Sequence, residues 1–198
     1  MTPNKSIKVV LLGDSSCGKT SLIKAWMLED NPTKTLATVG ASFRRQFVDI
    51  DDIQYCIDIW DTAGDEKYSS TIPLYCRSAF GAFIVFDVTR PETFNSVSKW
   101  IEILKQSAGD VPYILIGNKA DLVDRIIVTQ EQANEYASTL KVDYFDTSAL
   151  TGLNVEDAFS ALAMAAVQAS KEDVQRSTTQ DLVTQDLTKK QNNKSGCC

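Results

Sequence analysis

GDSSCGKT, residues Gly13–Thr20, is the most informative segment of this chain. It follows an apolar run, precedes a helical pattern and matches G-x-x-x-x-G-K-[S/T], the pattern of a phosphate-binding loop (P-loop). Gly13 and Gly18 allow the backbone to curl, so that its N–H groups face an anion at a helix N-terminus. Lys19 would reach the β- and γ-phosphates of a nucleotide, and the Thr20 hydroxyl would ligate Mg²⁺. An ordinary glycine-rich turn would not require the intact Gly-Lys-Thr ending.

Short apolar runs alternate with helical patterns along most of the chain. The run that leads into the P-loop is apolar except for Lys8, which is typical of a central strand buried on both faces. Two further runs are separated only by Asp51 and Asp52 and predict a β-hairpin. We therefore predict an α/β fold, the three-layer sandwich of P-loop NTPases, with a six-stranded, mainly parallel sheet, one antiparallel edge strand and helices on both faces. The predicted strands are Ile7–Gly13, Phe43–Ile50, Ile53–Trp60, Gly81–Val88, Val111–Gly117 and Val142–Ser148.

The composition excludes several classes of function. A chain of 198 residues that is 43% hydrophobic can bury one substantial core with an appendage. Because the chain has no histidine, it cannot use Ser-His-Asp or Cys-His catalysis. The formal net charge of -6 argues against nucleic-acid binding, which depends on basic surface. Five cysteines without metal-ligand spacing fit the reduced thiols of a cytosolic protein, and we expect neither a signal peptide nor a membrane span.

Two polar segments that follow predicted strands indicate which base is bound. NKAD, residues Asn118–Asp121, follows the fifth strand, at the edge where ligands bind in such sheets. A carboxylate there can accept hydrogen bonds from both N1–H and the N2 amine of guanine, a pair that adenine does not offer. TSAL, residues Thr147–Leu150, follows the sixth strand. NKAD alone would fit a solvated turn, but after a P-loop and before TSAL it predicts a guanine site.

A third segment, DTAG at Asp61–Gly64, follows the third strand. Asp61 would hold Mg²⁺ through water, and the Gly64 N–H would contact the γ-phosphate. The alternative for this segment is a simple cap between a strand and a helix.

In this order, GDSSCGKT, WDTAG, NKAD and TSAL resemble the nucleotide-binding elements of the Ras superfamily of small GTPases, and the chain most resembles a Rab. The resemblance implies that Thr38 ligates Mg²⁺ with Thr20 and Asp61, and that Lys19, Thr38, Gly64 and Asp65 take part in catalysis. It implies GTP or GDP as the bound nucleotide and Mg²⁺ as the cofactor. The nucleotide contacts it implies are Gly13, Ser15, Ser16, Cys17, Gly18, Lys19, Thr20, Ser21, Thr38, Gly64, Asn118, Lys119, Asp121, Ser148, Ala149 and Leu150.

Three aromatic residues fall where Rabs carry a triad that is presented to effectors. They are Phe43, Trp60 and Tyr75. The same residues would fit simple core packing, so the sequence leaves the two interpretations open.

Two positions depart from the family pattern. Asp65 replaces the glutamine that orients the attacking water, and an ionised aspartate only accepts hydrogen bonds and adds charge beside the γ-phosphate. We expect slow intrinsic hydrolysis, although a TBC-type activating protein that supplies a glutamine in trans would still stimulate it. Asn31 stands where the family usually has an aromatic residue against the guanine. Losing that stacking should weaken nucleotide retention by roughly 1–3 kcal/mol and speed GDP release.

The end of the chain has a different composition. From about Ser170 it is rich in Thr, Gln, Asp and Lys, has no aromatic residue and repeats TQDL. We predict a small GTPase domain at 1–170 and a disordered hypervariable tail at 171–198. By resemblance, Cys197 and Cys198 would carry geranylgeranyl groups, because stable anchoring needs two signals. The alternative is an unmodified pair or a vicinal disulfide.

The resemblance implies a monomeric molecular switch that hydrolyses GTP and regulates vesicle and membrane trafficking on the cytoplasmic face of intracellular membranes, cycling with the cytosol. Its implied partners are effectors, an exchange factor, a TBC-type activating protein, an escort protein and a GDP-dissociation inhibitor. The alternative is a GTP-bound binding module with negligible turnover, because Asp65 replaces glutamine. A small-molecule kinase with a P-loop would leave NKAD unexplained.

Overall fold

The computed structural model describes residues 6–28, 38, 40–64 and 70–192, with the backbone alone at 176–192. The strands are β1 (Ser6–Leu12), β2 (Ala41–Ile50), β3 (Ile53–Thr62), β4 (Gly81–Asp87), β5 (Tyr113–Asn118) and β6 (Tyr144–Thr147). The helices are α1 (Lys19–Trp26), α2 (Ile72–Cys76), α3 (Pro91–Asn95), α4 (Val97–Ala108), α5 (Gln130–Leu140) and α6 (Val155–Asn192). Within the described residues, the strands form one sheet in the order β2-β3-β1-β4-β5-β6.

The sheet confirms the predicted fold class. β2 at the edge is antiparallel to β3, and the other neighbouring strands are parallel. The hairpin turns at Asp51 and Asp52, whose φ angles of 52° and 61° are both positive. Positive φ at both central residues is the geometry that a two-residue hairpin turn prefers, and aspartate tolerates it better than most residues.

Alternate residues of the parallel strands pack into two separate apolar layers. In β1, Val9 and Leu11 face the layer under α1 and α6, whereas Val10 and Leu12 face the layer under α2, α4 and α5. All four side chains are buried, and each contributes on the order of 1.5–3 kcal/mol of burial free energy. Helices therefore cover both faces of the sheet, and the parallel direction of β3, β1, β4, β5 and β6 places their carboxyl ends at one common edge.

α6 begins at Val155 and extends further than the sequence indicates. Ser170 is buried, the side chains of residues 171–175 are exposed, and the helix backbone continues to Asn192. This differs from the expectation of disorder after residue 170. The physical reason is that residues 153–195 contain no glycine or proline to end the helix. The division into 1–170 and 171–198 stays a prediction. None of the helices in the described ranges is long and apolar enough to cross a membrane.

Gly117 in β5 leaves space that a neighbouring strand uses. A Cβ on Gly117 would lie 2.3 Å from the hydroxyl oxygen of Tyr144 and 2.9 Å from Cγ1 of Val88. The Tyr144 hydroxyl is held there, because it donates a short hydrogen bond to Oδ1 of Asp146.

We expect Gly117→Ala to lower the free energy of unfolding by about 1–3 kcal/mol, because the added methyl group overpacks this contact. Denaturation in urea would measure the loss. Adding Tyr144→Phe should restore part of the stability, since it removes the closest atom. An equal cost of Gly117→Ala in both backgrounds would show that the hydroxyl is not the obstacle.

Candidate functional site

The P-loop follows the end of β1 and depends on two glycines for its curved backbone. Gly13 and Gly18 have φ angles of 146° and 95°, a range that favours glycine. A Cβ on Gly13 would lie 2.1 Å from the carbonyl oxygen of Val85, and one on Gly18 would lie 2.2 Å from Nδ2 of Asn118. Both glycines are therefore required by close packing as well as by backbone conformation.

Lys19 is held inside the P-loop at the start of α1. Its side chain is buried, with 6% of the residue exposed, and its Nζ donates to the carbonyl oxygens of Gly13 and Asp14 at 2.7 and 2.8 Å. Burial lowers the pKa of Lys19, and nearby negative charges, Asp61 and Asp14 among them, offset only part of that effect. A phosphate group at this position would add a further negative charge beside Nζ.

The other predicted residues of the P-loop differ in exposure. Ser15 and Ser16 are exposed, whereas Cys17 and Ser21 are buried. The Cys17 thiol belongs to the apolar layer under α1 and α6, and burial raises its pKa. Cys17 can therefore contact a nucleotide only through its backbone.

The three predicted metal ligands meet at one corner of the site. The Thr20 hydroxyl lies 2.6 Å from Oδ2 of Asp61 and 3.0 Å from the Thr38 hydroxyl. Ser42, which the sequence interpretation missed, places its hydroxyl 3.4 Å from the same Asp61 oxygen. Counting back from the hairpin turn would have found Ser42, because β2 and β3 pair Ser42 with Asp61.

This corner fits a magnesium ion. Asp61 is 1% exposed, and its Oδ1 has no hydrogen-bond partner among the described residues. Burial raises the pKa of Asp61, and hydrogen bonds from Thr20 and Thr38 offset only part of that effect. One carboxylate with hydroxyl groups is a hard oxygen donor set of the kind Mg²⁺ uses, together with water and substrate phosphates. The described residues contain no cluster of three His, Cys, Asp or Glu that could hold a metal.

Gly64 lies directly against the P-loop. A Cβ on Gly64 would be 2.3 Å from the backbone carbon of Asp14 and 2.4 Å from the backbone nitrogen of Ser15. The structure thus brings DTAG next to the P-loop. Asp65 and Asn31 lie outside the described residues.

Asn118 joins the segment after β5 to the P-loop. Its side-chain amide donates to the carbonyl of Cys17 at 2.8 Å. Its carbonyl oxygen accepts from the backbone N–H of Ala149 at 3.2 Å and from the hydroxyl of Thr147 at 3.3 Å. One buried side chain therefore connects three segments that are far apart in the sequence.

Asp121 is oriented by the segment after β6. The Ser148 hydroxyl donates to Oδ1 of Asp121 at 2.6 Å and accepts from the backbone N–H groups of Leu150 and Thr151. Ala149 is buried, and the Leu150 side chain is mostly exposed. The Asp121 carboxylate keeps further lone pairs with which it can accept hydrogen bonds from a base.

Lys119 has a partner that the sequence interpretation missed. Its Nζ lies 2.5 Å from Oδ2 of Asp87, a buried residue at the end of β4. The signal in the sequence was faint, because Asp87 is simply the one charged residue of an apolar strand.

The aromatic triad forms one contiguous cluster of residues from β2, β3 and α2. The ring centroids of Phe43 and Trp60 are 5.7 Å apart, and those of Trp60 and Tyr75 are 5.8 Å apart. Phe43 is 44% exposed, whereas Trp60 and Tyr75 are partly buried. The rings therefore pack on one another and also present an edge to the surface.

Comparison with known proteins agrees with this geometry. The model of the Ras family matches residues 8–168. The chain belongs to the Ras family. Three relatives from Arabidopsis thaliana have Rab names. Ras-related protein RABA4a and Ras-related protein RABA4b are each 39% identical over 156 residues, which cover 78% of this chain and 69% and 70% of theirs. Ras-related protein RABA5b is 39% identical over 153 residues, which cover 77% of this chain and 70% of that protein.

The chain is therefore a Rab small GTPase, which binds guanine nucleotides and hydrolyses GTP. The expectations for the enzyme class and the fold are confirmed. Membership of the family also implies regulatory and effector partners in general.

Proposed function

We propose that this Rab GTPase is a GTP-controlled switch in vesicle and membrane trafficking, with slow intrinsic hydrolysis. One observation carries the proposal. The Asn118 amide donates to the Cys17 carbonyl, so NKAD, which we predict to bind the base, is joined directly to the P-loop. The Rab names of the relatives support the trafficking role.

The residues around this cleft have distinct proposed roles. Lys19 neutralises charge on the β- and γ-phosphates, and Asp121 accepts hydrogen bonds from the guanine base. Thr20, Thr38 and Asp61 would hold Mg²⁺, which supplies charge stabilisation at the phosphoryl oxygens when bound. Because Thr38 and Gly64 would contact the γ-phosphate side, loss of that phosphate would release both segments, and partners would sense the difference.

Asp65 is the proposed cause of slow turnover. We expect Asp65→Gln to hydrolyse bound GTP about a hundredfold faster than the natural protein in a single-turnover assay with Mg²⁺, the low end of the contribution of a positioned catalytic group. The physical reason is that glutamine can accept from the attacking water and donate to the developing charge, whereas aspartate can only accept. Chromatography of the released nucleotide would measure the rate.

Asp124→Asn is a matched control, because Asp124 is exposed in a short turn and lies in none of the predicted nucleotide-binding segments. Its rate should equal that of the natural protein. Equal rates for Asp65→Gln and the natural protein would contradict the role of Asp65. No measurable hydrolysis in the natural protein, with GTP bound, would favour the alternative, a binding module that acts only by recruiting effectors.

Two parts of the chain would connect the switch to its effectors and to a membrane. The cluster of Phe43, Trp60 and Tyr75 lies where an effector could contact both β2–β3 and α2, and its exposed edge supports that role. Cys197 and Cys198 would carry geranylgeranyl groups that anchor the protein to the cytoplasmic face of membranes.

An exchange factor, a TBC-type activating protein, an escort protein and a GDP-dissociation inhibitor are the further partners that this cycle requires. The protein would act as a monomer.

A further inference from the structure

Asp87 lies between the two halves of the nucleotide cleft. β4 separates β1, which leads into the P-loop, from β5, which leads into NKAD, and Asp87 is the last residue of β4. It pairs in register with Asn118. Its side chain is 1% exposed, and a carboxylate buried to this degree needs cations or hydrogen-bond donors around it.

Two cations and one hydroxyl residue surround the Asp87 carboxylate. Lys119 Nζ lies 2.5 Å from Oδ2, and Arg90 Nε lies 3.3 Å from the same oxygen. The backbone N–H and the hydroxyl of Thr89 donate to Oδ1 at 2.9 and 2.7 Å. Burial alone would raise the pKa of Asp87, but the ammonium group of Lys119 and the hydrogen bonds from Thr89 outweigh it and hold that pKa below its ordinary value. The group is therefore an anion near neutral pH.

Each of the two cations also belongs to one half of the cleft. The Arg90 guanidinium donates from its second terminal nitrogen to the Ser15 carbonyl of the P-loop at 2.8 Å. Lys119 is part of NKAD, and its φ angle of 71° places a non-glycine residue in the left-handed region. Asp87 thus links the backbone of the P-loop, through Arg90, to the strained residue Lys119. Lys119 belongs to NKAD, the segment that we call the base loop.

Both cations are partly exposed to solvent, whereas the anion is buried. The side chains of Arg90 and Lys119 are 36% and 32% exposed. Asp87 is the fixed member of this cluster, because it lies on a central strand.

We propose that Asp87 is a positioning residue that holds Lys119 and Arg90 as one unit, so that the base loop and the P-loop close on a nucleotide together. The inference rests on the proposed function, since it concerns the same cleft. Without the Asp87 carboxylate, Lys119 and Arg90 would no longer be held together, and bound GDP would dissociate faster.

The test compares GDP release from the natural protein, Asp87→Asn and Asp58→Asn. We expect Asp87→Asn, which keeps the shape and removes the charge, to release a fluorescent GDP analogue about tenfold faster, within the range of coupling in ion-pair networks. Asp58 is the matched control, because it is also a carboxylate paired with an arginine, Arg45, at 2.7 and 3.0 Å, and β1 separates its strand β3 from β4. Asp58→Asn should release GDP at the natural rate.

Two further measurements distinguish a positioning role of Asp87 from general disruption of the nucleotide pocket. IDP lacks the N2 amine of guanine, so the ratio of IDP to GDP release rates reports on Asp121. Because Ser148 holds Asp121 independently of Asp87, this ratio should be unchanged in Asp87→Asn. A reduced ratio would mean that the whole pocket is disturbed and would overturn the proposal.

A double-mutant cycle tests the link itself. Arg90→Met should release GDP about threefold faster, and the double variant should release it no faster than Asp87→Asn alone, because Arg90 acts through Asp87. If the effects of the two substitutions on the GDP release rate multiply, the proposal is overturned. If Asp87→Asn does not fold, unchanged GDP release in Arg90→Met would overturn it. If the natural protein binds no guanine nucleotide, the proposed function fails. If it binds GDP and Asp87→Asn releases GDP at the natural rate, only this inference fails.

Discussion

Asp121→Asn should weaken GDP binding by a factor on the order of 10⁴ and shift the preference of the protein towards xanthine nucleotides. A carboxylate accepts from two neighbouring donors on guanine, whereas an asparagine amide presents one acceptor and one donor. The amide donor would face the guanine N2 amine, leaving two buried donors opposed. Xanthine carries a carbonyl oxygen at that position and would match the amide.

The structure indicates that Asp121→Asn should leave the conformation of the surrounding loop unchanged. The Ser148 hydroxyl that donates to Asp121 at 2.6 Å can also donate to an amide oxygen, so the loop should keep its conformation. Competition binding with GDP and XDP measures both affinities, and Asp124→Asn again serves as the control. Equal loss of GDP and XDP binding in Asp121→Asn would show that the pocket had collapsed, and it would contradict base recognition by this carboxylate.

Removing Mg²⁺ should accelerate GDP release by a factor on the order of 10², because the ion contributes several kcal/mol of charge stabilisation at the phosphates. The buried Asp61 carboxylate, with one oxygen unpaired among the described residues, would also lose its counter-charge. Release of a fluorescent GDP analogue, with and without excess EDTA, measures the effect.

Two hydroxyl variants locate that ion. Thr20→Ala should release GDP quickly even with Mg²⁺ present and should respond little to EDTA. Ser6→Ala removes another hydroxyl that donates to an aspartate, Asp58, and should respond to EDTA as the natural protein does. A natural protein that is insensitive to EDTA would be incompatible with a metal at Thr20, Thr38 and Asp61.

Most of the fold and much of the site could be predicted from local sequence. The run around Val9–Leu12 is apolar without alternation because β1 is buried on both faces, and such a strand ends visibly at Gly13. Each polar segment follows a strand, and parallel strands place their carboxyl ends at one edge, so the P-loop, DTAG, NKAD and TSAL had to meet there. These inferences need only residue types, short spacings and the direction of the strands.

Other features depend on contacts between distant residues. Asn118 bonds to a carbonyl 101 positions away, and Arg90 bonds to one 75 positions away. No local pattern marks Asp87 as the carboxylate that pairs with Lys119, because the pairing arises only when β4 lies between β1 and β5.

α6 is the opposite case. The segment after about Ser170 has a composition typical of disorder, yet its backbone is helical to Asn192, because no glycine or proline ends the helix. Local chemistry thus fixed the strands, the motifs and the edge of the sheet. The order of the strands decided which charges meet there, because ion pairs form between side chains that packing brings within a few ångströms, whatever their separation along the chain.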